Sequence, residues 1–381
     1  MGVKILSLFD GMASGMIAMQ LAGVEVESYD AYEIDKYAIK TAQHNFPMIK
    51  EHGDVFGADF TQYEGVDFLI GGSPCTYWSI AQTKNRETVA SGMGWELFSQ
   101  YVRALKEAKP KYFIYENNKS MSKQIRASID EAFGFEAICI NSALVSAQNR
   151  QRLYWVGKRN ADGTYSKVDV VQPEDRGILL KDILDSVVAG DVDAAPINTD
   201  ANEKAFCVTS RYYKGFGNNP GKCLEKHRDS MVAEPINVTA DGKAQCLRAT
   251  CYKDGIRNII ANEVDKKTGV AEPINDILQV GAMPRPDGKE ITIYEVRDGK
   301  ITIKGKQYPI KLKDGYYIIR KLTVSECKRL QTVPEWYEFP VSNSQAYKML
   351  GNGWTCEIIC HLINSCFKSV DALPGQIGLW G

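Results

Sequence analysis

Among its ten cysteines and four histidines the 381-residue sequence has no Cys-x-x-Cys pair and no Cys/His quartet at zinc spacing. That argues against a disulfide scaffold and against a structural metal. Only Cys356, Cys360 and His361 lie at spacings that suggest a metal. A buried helix face is the expectation there, because free cysteine packs as a small hydrophobe. No apolar run approaches the roughly 18–20 residues that cross a bilayer, and Val3-Lys4-Ile5-Leu6 opens the chain as a strand with no secretory pattern. No membrane association and a cytoplasmic location are therefore expected. Charge of one sign is also missing. A net charge of −1 leaves no global basic signature, so any nucleic-acid surface has to be local.

What is present is length enough for two domains. Residues 1–160 alternate strand and helix patterns, which implies a mostly parallel sheet covered on both faces. Strands are expected at 3–9, 28–33, 66–70, 112–116, 136–144 and 153–158, and helices at 14–22, 36–45, 95–108 and 122–133. From about 190 to 318 the pattern changes to short strands and polar turns. Ala195-Pro196-Ile197-Asn198 returns there as Glu234-Pro235-Ile236-Asn237 and Glu272-Pro273-Ile274-Asn275, an offset of 38–39 residues that marks a tandem β unit. A hairpin is expected from Ile291–Val296 and Lys300–Ile303 around Asp298-Gly299. Helices at Thr323–Gln331 and 354–367 follow and rejoin the first domain. The organisation expected is thus 1–189 with 319–381 as one domain and 190–318 as a second, smaller, mostly β domain.

Chemistry concentrates at strand ends, where α/β sheets place their ligands. Val66-Asp67-Phe68-Leu69-Ile70 runs into Gly71-Gly72-Ser73-Pro74-Cys75, a sulfur nucleophile on a tight turn. Tyr112-Phe113-Ile114-Tyr115 runs into Glu116-Asn117-Asn118. Thiol and carboxylate facing one crevice suit thiolate attack on an electron-poor ring with protonation elsewhere on that ring. The turn Ser7-Leu8-Phe9-Asp10-Gly11-Met12-Ala13-Ser14-Gly15 lacks the full dinucleotide fingerprint, whose glycines admit a pyrophosphate. A ligand without phosphates, such as S-adenosylmethionine, needs less. Glu33 is placed for ribose hydroxyls and Asp54 for an adenine amino group.

These blocks resemble the DNA (cytosine-5)-methyltransferase family. Phe9-Asp10-Gly11 with Gly15, Glu33, Asp54-Val55, Gly71 to Cys75, Glu116-Asn117-Asn118, Gln148-Asn149-Arg150-Gln151-Arg152, Arg320 to Thr323 with Glu326-Cys327 and Arg329 to Gln331, and Gly351-Asn352-Gly353 occur in the family's order. Leu6-Ser7-Leu8-Phe9-Asp10-Gly11 and Gly71-Gly72-Ser73-Pro74-Cys75 look closest to the animal de novo branch, while the middle segment is similar to that of bacterial and phage enzymes. Two departures stand out: the family's usual Glu-Asn-Val is Glu-Asn-Asn here, and its usual Gly-Asn-Ser/Ala is Gly-Asn-Gly.

The resemblance implies a Rossmann-like α/β methyltransferase fold with a target-recognition domain at 190–318. It implies S-adenosylmethionine as cofactor and double-stranded DNA as substrate, with base flipping, no metal, a monomer, and a bacterial cell or phage-infected host, in the setting of restriction-modification. Catalytic roles fall on Cys75 with Pro74, Glu116, Arg150 and Arg152. Cys75 adds to carbon 6 of cytosine, Glu116 serves ring nitrogen 3, Arg152 the ring carbonyl, and Arg150 the catalytic loop or a phosphate. Cofactor binding falls on Phe9, Asp10, Gly11, Gly15, Glu33, Ile34, Asp54, Val55, Leu97 and Asn352. Thr76 to Trp95, with Lys84, Arg86, Gly92 and Gly94, reads as a mobile lid. The rival readings are a tRNA-modifying enzyme of the same architecture and a catalytically silent DNA-binding homologue; the retained Cys75, Glu116, Arg150 and Arg152 disfavour the second.

For DNA contact the candidates are Ser79, Arg211, Lys214, Arg248, Lys253 and Arg257. Residues 201–270 hold twelve basic against eight acidic side chains, interleaved with tyrosines, a composition suited to phosphate contact and groove readout. Arg248→Ala is expected to weaken DNA binding or relax site choice with S-adenosylmethionine affinity unchanged, measured by titration of both ligands; unaltered DNA affinity and site preference would remove Arg248 from the interface.

Overall fold

The runs Ile5-Leu6-Ser7-Leu8 and Phe68-Leu69-Ile70-Gly71 carry no charge, and such runs bury both faces only in the middle of a parallel sheet. That is where they lie in the computed structural model of the chain, which describes residues 2–79, 86–185, 195–197, 204–210, 212, 220–226, 230–235, 282–284, 290–292, 294–312 and 314–368. Two compact units emerge, Met1–Gly177 with Lys328–Gly381, and Ile178–Cys327.

The first unit opens with β1 (Val3–Leu8), α1 (Ser14–Leu21), β2 (Val26–Tyr32), α2 (Lys36–Asn45), β3 (Lys50–Glu51), β4 (Phe68–Gly71), α3 (Met93–Ala108), β5 (Tyr112–Asn118), α4 (Lys123–Phe133), β6 (Ile138–Asn141), β7 (Gln148–Asn149), β8 (Gln151–Arg159) and β9 (Tyr165–Lys167). The sheet order is β3-β2-β1-β4-β5-β8-β6, with β9 on β8. The pairings among β1 to β5 are parallel, and β8 runs antiparallel to β5, β6 and β9. Helix ends follow local chemistry. Asp35 caps α2 by accepting from Tyr37 N at 3.0 Å, and Ser122 caps α4 by accepting from Ile125 N at 3.1 Å.

Between the sheet and α3 and α4 lies an aromatic core of Trp78, Phe98, Tyr101, Phe113, Tyr115, Phe133 and Trp155. Tyr101 shows how a buried hydroxyl is tolerated there: it donates within reach of Leu69 O (3.1 Å) and Ile114 O (2.9 Å), stitching α3 across β4 and β5.

The second unit contributes β10 (Ala195–Ile197), β11 (Ala205–Phe206), α5 (Gly221–Lys226), β12 (Met231–Pro235), β13 (Ala282–Pro284), β14 (Glu290–Thr292), β15 (Tyr294–Arg297), β16 (Lys300–Ile303), β17 (Lys306–Pro309), β18 (Gly315–Lys321) and, crossing into the next segment, α6 (Val324–Leu330). Its main sheet, β10-β12-β18-β15-β16-β17, is antiparallel throughout around Met231, Ala233, Val296, Ile301, Ile303, Tyr317 and Ile319. The first repeat copy forms the edge strand β10, which pairs with β12, the strand ending in Glu234-Pro235 of the second copy. The third copy, at 272–275, lies outside the described residues. The hairpin expected at Ile291–Val296 is divided: Tyr294–Arg297 pairs with β16 around the left-handed pair Asp298-Gly299, while Glu290–Thr292 pairs instead with β13. Within this unit, which runs from Ile178, Asp185 N donates to Glu326 Oε1 (3.0 Å) and Thr323 Oγ1 to Asp185 Oδ2 (2.9 Å), tying both ends together.

The chain returns to the first unit with α7 (Asn343–Asn352) and α8 (Cys356–Lys368), the latter packed on α1. Cys356 and Cys366 are buried in α8, and His361 Nε2 lies 2.7 Å from Val171 O.

One close approach tests the sheet. A Cβ on Gly157 of β8 would lie 2.1 Å from Phe113 Cε1 on β5. Gly157→Ala is therefore expected to destabilise the protein by about 1–3 kcal/mol, read as a lower urea midpoint at unchanged slope; an unchanged midpoint would mean that Phe113 yields freely.

Candidate active site

Strand order reverses between β1 and β4, since β2 and β3 extend to one side and β5 and β8 to the other. The turns after β1, β2, β4 and β5 therefore meet above the carboxyl ends of the strands, the crevice that such sheets offer to ligands.

The turn after β1 is held under strain. Phe9, Gly11 and Ala13 all take positive φ (59°, 63° and 58°), and two of the three carry a Cβ. The loop is fixed by what it faces. Glu33, just beyond β2, accepts Gly11 N at 2.8 Å through one oxygen and Ile34 N and Asp35 N at 2.7 and 2.8 Å through the other. Asp10 turns inward: Ser7 Oγ and Tyr29 Oη each donate to its Oδ1 at 2.6 Å. Its Oδ2 is buried with no partner, as are Ser14 Oγ and both carboxyl oxygens of Glu51 on β3. Burial pushes the Asp10 carboxyl up to about 6, with Glu33 adding to the rise and the Ser7 and Tyr29 bonds opposing it. Burial, then Asp10 and Glu33, push Glu51 up to about 8. Desolvated acceptors with nothing to accept define a place for a ligand rich in donors or positive charge.

Around this corner Ile34 is 75% exposed and Phe56 46%, an apolar rim beside buried Val55. Asp54 is exposed and accepts Phe56 N at 3.0 Å. Gly15 lies in the first turn of α1, Leu97 is half-buried on α3, and Asn352 is exposed at the end of α7.

The second half of the site is built on β4 and β5. Gly71 pairs with Tyr115, so Gly72 and Glu116 come next on neighbouring strands. A Cβ on Gly72 would lie 2.8 Å from Glu116 O and 3.0 Å from its Oε2; only glycine lets the turn pass the carboxylate. Ser73 is buried, its hydroxyl 2.6 Å from Tyr115 Oη, and its carbonyl accepts Asn117 Nδ2 at 3.1 Å. Pro74 follows, and Cys75 opens the 3-10 turn Cys75–Tyr77. Glu116 forms an ion pair with Arg152, Nε to Oε1 at 3.1 Å, the two side chains 12% and 16% exposed. Arg152 stands opposite Asn118, so the pair is a cross-strand diagonal of β5 and β8. The other carboxyl oxygen accepts Trp354 Nε1 at 3.0 Å. Arg150, 3% exposed, is turned elsewhere: its Nη2 donates to Gly351 O (3.2 Å) and Gly353 O (2.8 Å).

Asn118, the departure from the usual motif, is buried and bonded on both sides. Its N–H and Nδ2 donate to Asn117 Oδ1 (2.9 and 3.2 Å), and Ser120 Oγ donates to its Oδ1 at 2.6 Å. Past the cysteine turn, Trp78 is fully buried and donates to Glu87 Oε2 at 3.0 Å, Glu87 also accepts Gly94 N, and Arg86 donates to Trp78 O (3.1 Å) and Ser120 O (2.6 Å). Gly94 thus lies inside α3, and Gly92, at φ 81°, precedes it. Lys84 falls outside the described residues, as do Arg211, Lys214, Arg248, Lys253 and Arg257. Of the residues proposed for DNA contact only Ser79, half-buried beyond Trp78, is described.

Sequence reasoning passed over Glu51 and Trp354. The two-residue strand Lys50–Glu51 is too short to show an alternation, and the tryptophan stands one place beyond the Gly351-Asn352-Gly353 motif.

The family model described as C-5 cytosine-specific DNA methylase matches residues 3–368. The chain is 25% identical over 440 aligned residues to the orphan methyltransferase M.SPRI of Bacillus phage SPR, covering 97% of each. It is 27% identical to the type II methyltransferase M1.ScrFI of Lactococcus lactis subsp. cremoris, covering 92% of this chain and 74% of that one. Among solved structures, a DNMT2 mutant from Spodoptera frugiperda superposes with a TM-score of 0.54 at 17% identity, covering 96% of this chain and all (100%) of that one. A putative DNA modification methyltransferase encoded within an E. coli prophage superposes with a TM-score of 0.52 at 17% identity, covering 97% and 100%.

The acidic corner carries a pH signature. A carboxyl raised by folding contributes stability that is present below the unfolded range and lost as pH rises through its folded value, here about 6 for Asp10 and about 8 for Glu51. Glu51→Gln cannot ionise, so its urea midpoint should exceed that of the wild type at alkaline pH, with the gap closing toward acid. A gap independent of pH would show that Glu51 does not titrate as a buried group.

Proposed function

The chain belongs to the family of C-5 cytosine-specific DNA methylases, and we propose that it transfers a methyl group from S-adenosylmethionine to carbon 5 of a flipped-out cytosine within a short DNA sequence. The observation that carries this reading is the Glu116 carboxylate, gripped on both oxygens by Arg152 and Trp354 and packed against Gly72 of the turn that leads into Cys75.

The acidic corner fits the cofactor. Asp10 Oδ2, Ser14 Oγ and Glu51 offer unfilled polar positions, Glu33 and Asp54 stand at successive strand ends, and Ile34, Phe56 and Val55 form an apolar rim for a purine. Phe9, Gly11, Gly15, Leu97 and Asn352 complete the set that would hold it. Bound there, S-adenosylmethionine supplies an electrophilic methyl group on a sulfonium, a cation that the carboxylates favour.

The protein's part follows from the ring. Carbon 5 of cytosine is too weakly nucleophilic to be methylated directly. Thiolate addition from Cys75 forms a bond to carbon 6 and moves the ring π electrons toward carbon 5. Glu116 at nitrogen 3 and Arg152 at the ring carbonyl oxygen offset the charge pushed into the ring. Carbon 5 would then take the methyl group as the sulfonium's sulfur–methyl bond breaks to leave a neutral thioether, water or hydroxide removes the proton from carbon 5, and the re-formed double bond expels the Cys75 thiolate. Arg150 acts at a distance, through the Gly351 and Gly353 carbonyls. Because carbon 6 is enclosed in duplex DNA, the base has to leave the stack at a cost of a few kcal/mol. The antiparallel unit Ile178–Cys327, with its basic and aromatic segment 201–270, is the proposed reader of the surrounding sequence.

Purified protein incubated with S-adenosylmethionine and either unmethylated genomic DNA or tRNA, followed by base-resolution mapping of 5-methylcytosine, tests the reaction. A mark in one short DNA context is expected; a mark on tRNA alone would favour the RNA-modifying alternative. Cys75→Ala should abolish both transfer and covalent capture of 5-fluorocytosine DNA with folding and cofactor affinity nearly unchanged, and transfer persisting in that variant would refute the nucleophile.

A further inference from the structure

We infer that Trp354 is a positioning residue for the acid: its indole N–H fixes the Glu116 carboxyl so that the open lone pairs face the target ring. This rests on the role proposed above for Glu116.

Both neighbours of the carboxyl are donors only. Arg152 Nε meets Oε1 at 3.1 Å and Trp354 Nε1 meets Oε2 at 3.0 Å. Neither a guanidinium nor an indole N–H can accept a proton. A proton on Glu116 therefore cannot point at either of them and must occupy one of the remaining lone-pair positions. Gly72 closes a further side, since its Cα hydrogen stands where a Cβ would meet Oε2 at 3.0 Å and Trp354 Nε1 at 3.5 Å. With one donor on each oxygen and the glycine turn alongside, the directions left for proton exchange lead to a bound base.

Trp354 is itself held in place by its backbone neighbours. Gly353 N donates to Met349 O at 2.7 Å, and Gly353 O accepts from Arg150 at 2.8 Å. On the other side Thr355 is buried, donating to Gln331 Oε1 at 3.0 Å with its hydroxyl 2.8 Å from that of Ser142, and Cys356 N donates to Gln331 O at 3.0 Å. A donor carried between two fixed residues is organised before substrate arrives, the condition under which a hydrogen bond aids the transition state without reorganisation.

The discriminating reaction is exchange of the cytosine carbon 5 proton with solvent. Reversible addition of Cys75 makes carbon 5 basic, so tritium at that position is lost from DNA with no methyl donor present. Trp354→Phe should slow tritium release and methyl transfer by the same factor, about ten- to a hundredfold for losing a hydrogen bond to a charged group. Affinities for S-adenosylhomocysteine and DNA should stay unchanged. β-(3-Benzothienyl)alanine at position 354, which keeps the bicyclic shape and lacks the N–H, should reproduce the loss, and Trp354→His, which restores a ring donor, should recover part of it. Wild-type exchange with the benzothienyl side chain would overturn the inference. So would exchange retained while S-adenosylhomocysteine affinity falls, since Trp354 would then serve the cofactor. Glu116→Gln separates the two levels. If it abolishes exchange while the benzothienyl protein exchanges normally, the positioning role alone fails; if Glu116→Gln exchanges like the wild type, the acid assignment fails and the inference with it.

Discussion

Arg150 is buried in the first unit, and a guanidinium there has to find acceptors for its donors or lose several kcal/mol of solvation. It uses the carbonyls of Gly351 and Gly353, which lie about two hundred residues further along the chain. That choice sets much else. It docks the returning segment against β8, with Gln331 and Thr355 bonded beside it, and so delivers Trp354 to Glu116. Arg152, two residues on in β8, takes the opposite oxygen of the same carboxylate. The N-terminal strands and the C-terminal segment are thereby joined at Glu116, the proposed acid.

Three carboxyl groups of the crevice are treated in two opposite ways, and the difference follows from their partners. Glu116 has a donor on each oxygen and a cation among them. Asp10 and Glu51 are desolvated with oxygens unfilled, and each is raised by burial and by other carboxyls. The first arrangement is complete before any ligand arrives. The second is complete only when something brings donors or positive charge to it. A carboxylate bonded on both oxygens beside an unsatisfied acidic corner gives the crevice two unlike halves within one run of strand ends, matching the proposed division between acid and cationic cofactor.

Much of the α/β unit was legible in the sequence because its signals are strong and local. Charge-free runs marked β1, β4 and β5, and α2 came out at its expected limits of 36–45 because Asp35 caps it and its apolar positions recur at helical spacing. The returning helix Asn343–Asn352 was not expected, since its polar, Gly-Asn-ended sequence carries little period of its own; it folds by packing Ala346, Tyr347, Met349 and Leu350. The reversal of β8 and the division of the 291–296 run depend on which strand each edge meets, which no local pattern encodes. Motif spacing led to Cys75, Glu116 and Arg152. It could not lead to Glu51 or Trp354, because what singles them out is an empty acceptor in one case and a contact 238 residues away in sequence in the other.

The turn before the cysteine carries the last constraint. Gly72 is pressed against Glu116, and Ser73 is locked by Tyr115 and Asn117, so the two residues that precede Pro74-Cys75 are held on the strand that carries the proposed acid. The proposed nucleophile's turn and the proposed acid thus share one mechanical frame, β4 against β5. A substitution that shifts either strand moves both groups together, whereas a change at Gly72 or Trp354 moves one relative to the other. In the proposed reaction damage from the second kind should be far larger than its cost in stability suggests, because addition of the thiolate and relief of charge at nitrogen 3 would act on a single ring at a single moment, and about 1 Å of relative displacement is enough to cost about a hundredfold in rate.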